Sequence, residues 1–306
     1  MKPTCMVFNV MMAMSRDEAL NYISSNLNIP DAANLLNVRG LHLLNKILTS
    51  FHARVPIQTI TLHAVPMKWR HRPNWVTVKE NVCCGVGGLC YELNIFMFAL
   101  LSALGFDVYL TKSSVSQPHN HVVIIARNVA SPGDLFLVDA GCGFPTFQAV
   151  DLNFDLESAE YCQSFLCYKL VKQSNGKVLR LHKRHSLVKS LEPNDAKSEW
   201  KRYYDFELKP FSIEEIDEEF DRVFETYTAT TSHAIFRCTM FPGQRACAIR
   251  NKVVLVENDT KELDGTEYET SADLVNAVCG HFPVFQEYRA LVSKAVNTLG
   301  LFNKSV

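Results

Sequence analysis

Neither sign of charge prevails in this chain, in which 31 lysines and arginines face 32 aspartates and glutamates. There is no basic or acidic excess of the kind that attracts nucleic acid or a membrane surface, so a small-molecule partner is expected. Long apolar runs are missing as well, and nothing approaches the roughly 18 to 20 consecutive apolar residues of a membrane-spanning helix. The stretch 5–14 loosely resembles the apolar core of a secretory signal, but Asn9 interrupts it and no small-x-small cleavage site follows. A dense cysteine framework is absent too. The ten cysteines are scattered through 306 residues without the short loops of small secreted domains, and all of them read as reduced thiols of a cytoplasmic protein.

What is present is enough apolar material, 47% of 306 residues, to fill more than one core. One typical domain takes roughly 100 to 200 residues, so two or three subdomains are expected, and the lack of repeats or long linkers implies that they pack closely. From 15 to 50 apolar residues recur at three-and-four spacing, which predicts short helices. Residues 55–82, rich in proline, histidine and basic side chains, read as a loop-dominated approach. A helix is predicted over 89–104, stopped by Gly105. Strand patterns follow at 106–110, 121–126 and 135–138, then at 168–181 and 203–208. The acidic patch 214–225 reads as an exposed helix, 235–240 and 246–256 as a hairpin, and 284–301 as a closing helix. The division expected is a helical part (1–104), a β part (105–209) and an α/β part (210–306), an α+β fold.

The chemistry concentrates around Cys90. Gly87 and Gly88 precede it and a predicted helix begins at it, so the thiol sits at the positive end of a helix dipole, where the thiolate is favoured. Glycines there let an acyl or pyrophosphate group approach the backbone. A buried structural cysteine at a tight turn would look the same. Two further residues strengthen the chemical reading: His121 opens one apolar strand and Asp139 closes another. Brought together, the imidazole can take the Cys90 proton while the carboxylate fixes its tautomer. His119 competes for the base role, but His121 abuts the apolar strand that would lock its orientation. Zinc does not fit, because Cys83 and Cys84 are adjacent rather than spaced as a Cys-x-x-Cys pair. No Gly-Lys-Ser/Thr follows the glycines, so they form no phosphate loop.

These residues resemble the arylamine N-acetyltransferases. Val86-Gly87-Gly88-Leu89-Cys90-Tyr91-Glu92-Leu93-Asn94 is similar to that family's Arg-Gly-Gly-aromatic-Cys-x-Glu-x-Asn signature. Residues 121–125 are similar to its His-plus-apolar-strand element, and Val138-Asp139-Ala140-Gly141-Cys142-Gly143 to its Val-Asp-x-Gly-Phe-Gly element. Weaker similarity extends over 44–62, 204–208 and 228–236. The resemblance implies a helical N-terminal bundle, a central β-barrel and a C-terminal α/β lid around a Cys-His-Asp core like that of cysteine proteases. It implies catalytic Cys90, His121 and Asp139, with Gly87, Gly88, Gly141, Cys142, Gly143, Thr230 and Phe236 meeting substrate or coenzyme A. Acetyl-coenzyme A would be the donor substrate and a small arylamine, arylhydroxylamine or hydrazine the acceptor, in a ping-pong reaction of a monomer with no bound cofactor and no metal.

The chain departs from the pattern in three places. Val86 stands where the motif has arginine, and Cys142 where it has a phenylalanine that lines the acceptor pocket. Around Thr230 a proline and a serine of the motif are lost. Two other readings of the same residues remain open: a thiol hydrolase or transglutaminase-like enzyme, and a diverged non-catalytic relative. Lys68, Arg70, His71 and Arg72 read either as a solvated loop or as contacts for coenzyme A phosphates.

Overall fold

Cys90–Ala103 carries apolar side chains around most of its circumference, and most of its residues are buried. A computed structural model describes residues 13–37, 40–183 and 198–302, so most of the stretch 5–14 lies outside the described residues. Helices α1 (Arg16–Asn21, continued by a π-helical turn over Tyr22–Asn26), α2 (Ala32–Asn37), α3 (Leu41–Arg54), α4 (Ile60–His63) and α5 (Trp75–Cys83) precede α6 (Cys90–Ala103). The helix α5 falls where a loop is expected from sequence. Asn74 caps it by accepting the Thr77 N–H at 3.0 Å. Gly105, at φ +81°, ends α6 as expected.

The strands β1 (Ile57–Gln58), β2 (Asp107–Ser114), β3 (His121–Arg127), β4 (Leu135–Val138), β5 (Val150–Asp151), β6 (Tyr161–Gln163), β7 (Leu166–Lys172), β8 (Val178–Lys183) and β9 (Trp200–Phe206) come next. All but β1 join one antiparallel sheet in the order β5-β4-β3-β2-β9-β8-β7-β6. It curls around a core of its own, where Val123 and Ile125 of β3 meet Tyr168 of β7 and Tyr204 of β9. The expected barrel is thus a curled sheet whose edge strands β5 and β6 do not pair with each other among the described residues.

β3 explains how the layers join. Its even-numbered residues Val122, Ile124 and Ala126 pack into the helical core, while Val123 and Ile125 face the interior of the curled sheet. A strand covered on both sides needs the unbroken apolar run that the sequence shows. By the same two-residue alternation His121 shares the interior face of Val123 and Ile125.

The C-terminal part contains α7 (Asp217–Glu225), β10 (Arg237–Met240), β11 (Cys247–Arg250), β12 (Val253–Glu257), β13 (Leu263–Glu267), α8 (Ser271–His281) and α9 (Arg289–Leu299). Its antiparallel sheet, β1-β10-β11-β12-β13, takes its edge strand from the N-terminal part of the chain. The reading of all cysteines as reduced is corrected at one pair: Cys162 and Cys167 are bonded. They are cross-strand partners of the β6–β7 hairpin, a proximity set by hairpin register and invisible in cysteine spacing. Among the described residues no helix is long and apolar enough to cross a membrane.

Candidate active site

Cys90 is the first residue of α6, and the helix start is built around it. Glu92 reaches back to accept the Leu89 N–H at 2.7 Å, so an otherwise orphaned donor at the helix start is satisfied by a carboxyl two residues beyond the thiol. The preceding loop is held by backbone hydrogen bonds from Val86 and Gly87 to the Asn81 carbonyl, at 2.8 and 3.1 Å. Val86 itself is buried with Ile60 and Phe236 in the C-terminal core. Apolar packing therefore holds this loop at the position where the motif carries an arginine.

The other two residues converge on the thiol. His121 Nε2 and Asp139 Oδ2 are 3.1 Å apart, with the two side chains 2% and 0% exposed. With Nε2 engaged by Asp139, Nδ1 is the ring nitrogen left to take a proton from Cys90, which lies close enough to act on the imidazole electrostatically. Burial works against a charged His121, but Asp139 and Cys90 outweigh it and hold the imidazole well above its ordinary value. Burial likewise opposes ionised Asp139, and His121, Asn94 and Arg180 overcome it, so the carboxyl stays far below its usual range. Cys90 Sγ also lies 3.9 Å from the Asn120 carbonyl. The competing His119 turns outward, with Nδ1 3.4 Å from Glu219 on α7.

Asn94, one turn along α6 from Cys90, locks Asp139 in place. It donates to Asp139 Oδ1 at 3.0 Å and to the Val122 carbonyl at 2.7 Å, and accepts the Ala140 N–H at 2.8 Å. Gly141 N–H adds a bond to Asp139 Oδ1 at 3.1 Å. The motif pointed to Asn94 without giving it a task. Arg180, in contrast, belongs to no motif and was not singled out from the sequence. Its alternation with Val178 and His182, all three buried, is the signal that it points inward.

The glycines mark close approaches of backbone. A Cβ on Gly141 would come within 2.8 Å of Cys90 Cα and 2.7 Å of its carbonyl oxygen. Gly87, at φ +72°, lies where a Cβ would come within 1.9 Å of the Pro56 carbonyl oxygen, and a Cβ on Gly88 would meet the Glu92 carboxyl. Gly143 faces Ile57 and Arg237. Cys142 is buried, and burial together with Asp139 pushes its thiol up to about 11. Thr230 is half-buried and caps the short turn Thr231–His233, accepting the Ser232 N–H at 3.3 Å. The neighbouring Ala229 carbonyl is 3.5 Å from Asn120 Nδ2, which brings this turn within one residue of His121. Phe236 is fully buried in the core beside Val86.

Of the basic loop, Arg70 donates to His233 and His63, and Arg72 pairs with Asp217 and Asp221, so both are tied to neighbouring elements. They line a cavity of about 300 Å³ that also touches Glu92. No cluster of three or more metal-ligating side chains occurs among the described residues.

Glu92 yields a pH-dependent expectation. Burial raises its carboxyl to about 7, against the opposing Leu89 hydrogen bond. The folded protein then holds a proton that the unfolded chain has released above about 4.5. Its contribution is fully present below that pH and is lost as pH rises to about 7, on the order of 3 kcal/mol in all. Glu92→Gln keeps an acceptor for Leu89 and removes the titration. Thermal unfolding should find the variant close to the parent at pH 4 and more stable than it at pH 8.

A model of an N-acetyltransferase family matches residues 40–283. No curated protein sequence matches the chain at a significant level. Among solved structures, the Mycobacterium marinum arylamine N-acetyltransferase in complex with CoA is similar at 14% identity and a TM-score of 0.72, over 92% of this chain and 99% of that one. The Nocardia farcinica arylamine N-acetyltransferase is 15% identical with a TM-score of 0.69, over 92% and 98%. Arylamine N-acetyltransferase C of Bacillus anthracis is 18% identical with a TM-score of 0.67, over 89% and 100%.

Proposed function

Because the chain belongs to the arylamine N-acetyltransferase family, and is an acyltransferase, we propose that it carries an acetyl group from acetyl-coenzyme A to an amine as a thioester on Cys90. The observation that carries this reading is the buried His121–Asp139 pair beside Cys90, in which Asp139 engages Nε2 and leaves Nδ1 for the proton of the thiol. His121 Nδ1 takes the Cys90 proton, and the thiolate attacks the acetyl carbonyl of the donor. The carbon–sulfur bond to coenzyme A breaks, and the departing thiolate takes the proton from the imidazolium. An arylamine, arylhydroxylamine or hydrazine then attacks the Cys90 thioester and gives its proton to His121, and Cys90 leaves as thiolate. The known relative solved with CoA supports that donor.

The account requires the first half to proceed alone. With acetyl-coenzyme A and no amine, each protein molecule should release one equivalent of free coenzyme A thiol. Release of none, with transfer seen only when both substrates are present, would overturn the thioester route.

A further inference from the structure

A fully buried arginine lies beside the site with no ion-pair partner among the described residues. Arg180 of β8 is 0% exposed and stands with its guanidinium 4.0 Å from the Tyr168 ring and 5.7 Å from the Tyr204 ring. Tyr204 in turn lies against the imidazole, its ring centroid 5.4 Å from that of His121. The guanidinium donates to Thr146 Oγ1 at 2.8 Å, the Pro145 carbonyl at 3.4 Å and Cys142 Sγ at 3.8 Å. Its Nε donates to His182 Nε2 at 3.0 Å. Three of these four contacts fall on the loop 142–146, which continues directly from Asp139 and from Gly141, the residue that touches Cys90.

We propose that Arg180 is a positioning residue for His121 and Asp139: its buried positive charge is the counter-charge of Asp139 whenever His121 is neutral, and its hydrogen bonds fix the loop that carries Asp139. The inference rests on the assignment of those two residues as base and orienting carboxylate.

A charge count over the groups facing the pair supports it. His52 of α3 and His182 of β8 are held below the ordinary histidine value by burial and are neutral near pH 7. Tyr168, Tyr203 and Tyr204, from β7 and β9, are pushed up by burial and keep their protons, as does Cys142. The charges left next to the pair are those of Asp139, Arg180 and Cys90–His121; Glu92, which caps α6, and Arg237, beside Gly143 and Tyr203, flank this set and enter each state compared alike. With thiolate and imidazolium present, the inner set is neutral only if Arg180 is counted. When Cys90 carries an acyl group and His121 has given up its proton, Asp139 and Arg180 remain and the inner set is again neutral. Without Arg180 both states would bury a net negative charge, which is costly and is relieved by holding a proton on His121 or Asp139. A protonated His121 cannot accept the proton of the incoming amine.

The test is an NMR titration of His121 in a Cys90→Ala background, where residue 90 is neutral as in the acyl-enzyme and no acyl donor is involved. Adding Arg180→Met should raise the midpoint of His121 by one pH unit or more, since it removes a cation that disfavours the imidazolium. Arg180→Lys should restore most of the difference. In the otherwise native protein, Arg180→Met should slow loss of the Cys90 acetyl group to aniline about tenfold or more at pH 7 and move the rising limb of that reaction to higher pH. Should Arg180→Met not fold, Arg180→Gln carries the test: it removes the charge while keeping an N–H donor for Thr146 and should shift the midpoint in the same direction. An unchanged His121 midpoint, with only thermal stability lowered, overturns the proposal. Because the titration needs no substrate, it can fail while the transferase reading stands, and the reverse is equally visible.

Discussion

Cys90→Ala is expected to lower acetyl transfer by about 10⁵-fold or more, close to the uncatalysed rate, while the protein stays folded. Alanine is the best helix former, and the cap on α6 comes from Glu92 to Leu89 rather than from Cys90, so the helix start survives. What disappears is the atom that accepts the acetyl group. His121 and Asp139 remain 3.1 Å apart with nothing to activate. Members of such a unit are strongly non-additive, so adding Asp139→Asn to Cys90→Ala should cost little more. Rate measurements with aniline, alongside thermal unfolding, check both statements; transfer at the parental rate would remove Cys90 from the mechanism.

Asp139→Asn should cost roughly 10³ to 10⁴-fold in rate with little change in fold. The reason lies in the donors around the carboxylate. Asn94 and the Gly141 N–H both donate to Oδ1, so an asparagine here must keep its carbonyl oxygen at that position. Its amide nitrogen then occupies the place of Oδ2 and points N–H groups at His121 Nε2. The imidazole answers by leaving Nε2 unprotonated and carrying its proton on Nδ1, the nitrogen that the proposed mechanism needs as the base. A base already protonated on that nitrogen cannot take the thiol proton. NMR of His121 should show the exchanged tautomer, and a variant that retains the parental tautomer and rate would contradict this account.

The parts of the fold and site that were legible are those written locally. The apolar run 122–126 announces a strand buried on both faces, and β3 is one, with alternate residues in two different cores. Gly105 marks the end of α6 because a left-handed residue is needed there. Cys90, His121 and Asp139 stood out because each lies at the end of an element, where side chains from distant segments can meet. What was not legible depends on pairing over distance. β1 is only Ile57–Gln58, too short to show a pattern, and exists because Thr239 and Cys238 of β10 lie opposite. The helix α5 is rich in valine, which favours strands intrinsically, and its Asn74 cap is a weak signal inside a stretch crowded with proline. The bond between Cys162 and Cys167 follows from hairpin register. Arg180 was hidden because an arginine on a strand is ordinarily solvated; only the curl of the sheet turns it toward Tyr204 and the loop after Asp139.

The direct measurement is intact-protein mass spectrometry after brief exposure to acetyl-coenzyme A, with peptide mapping and a Cys90→Ser control. The account predicts a single acetyl adduct on Cys90 that disappears when aniline or hydrazine is added; an adduct elsewhere, or none while transfer to the amine proceeds, would contradict it.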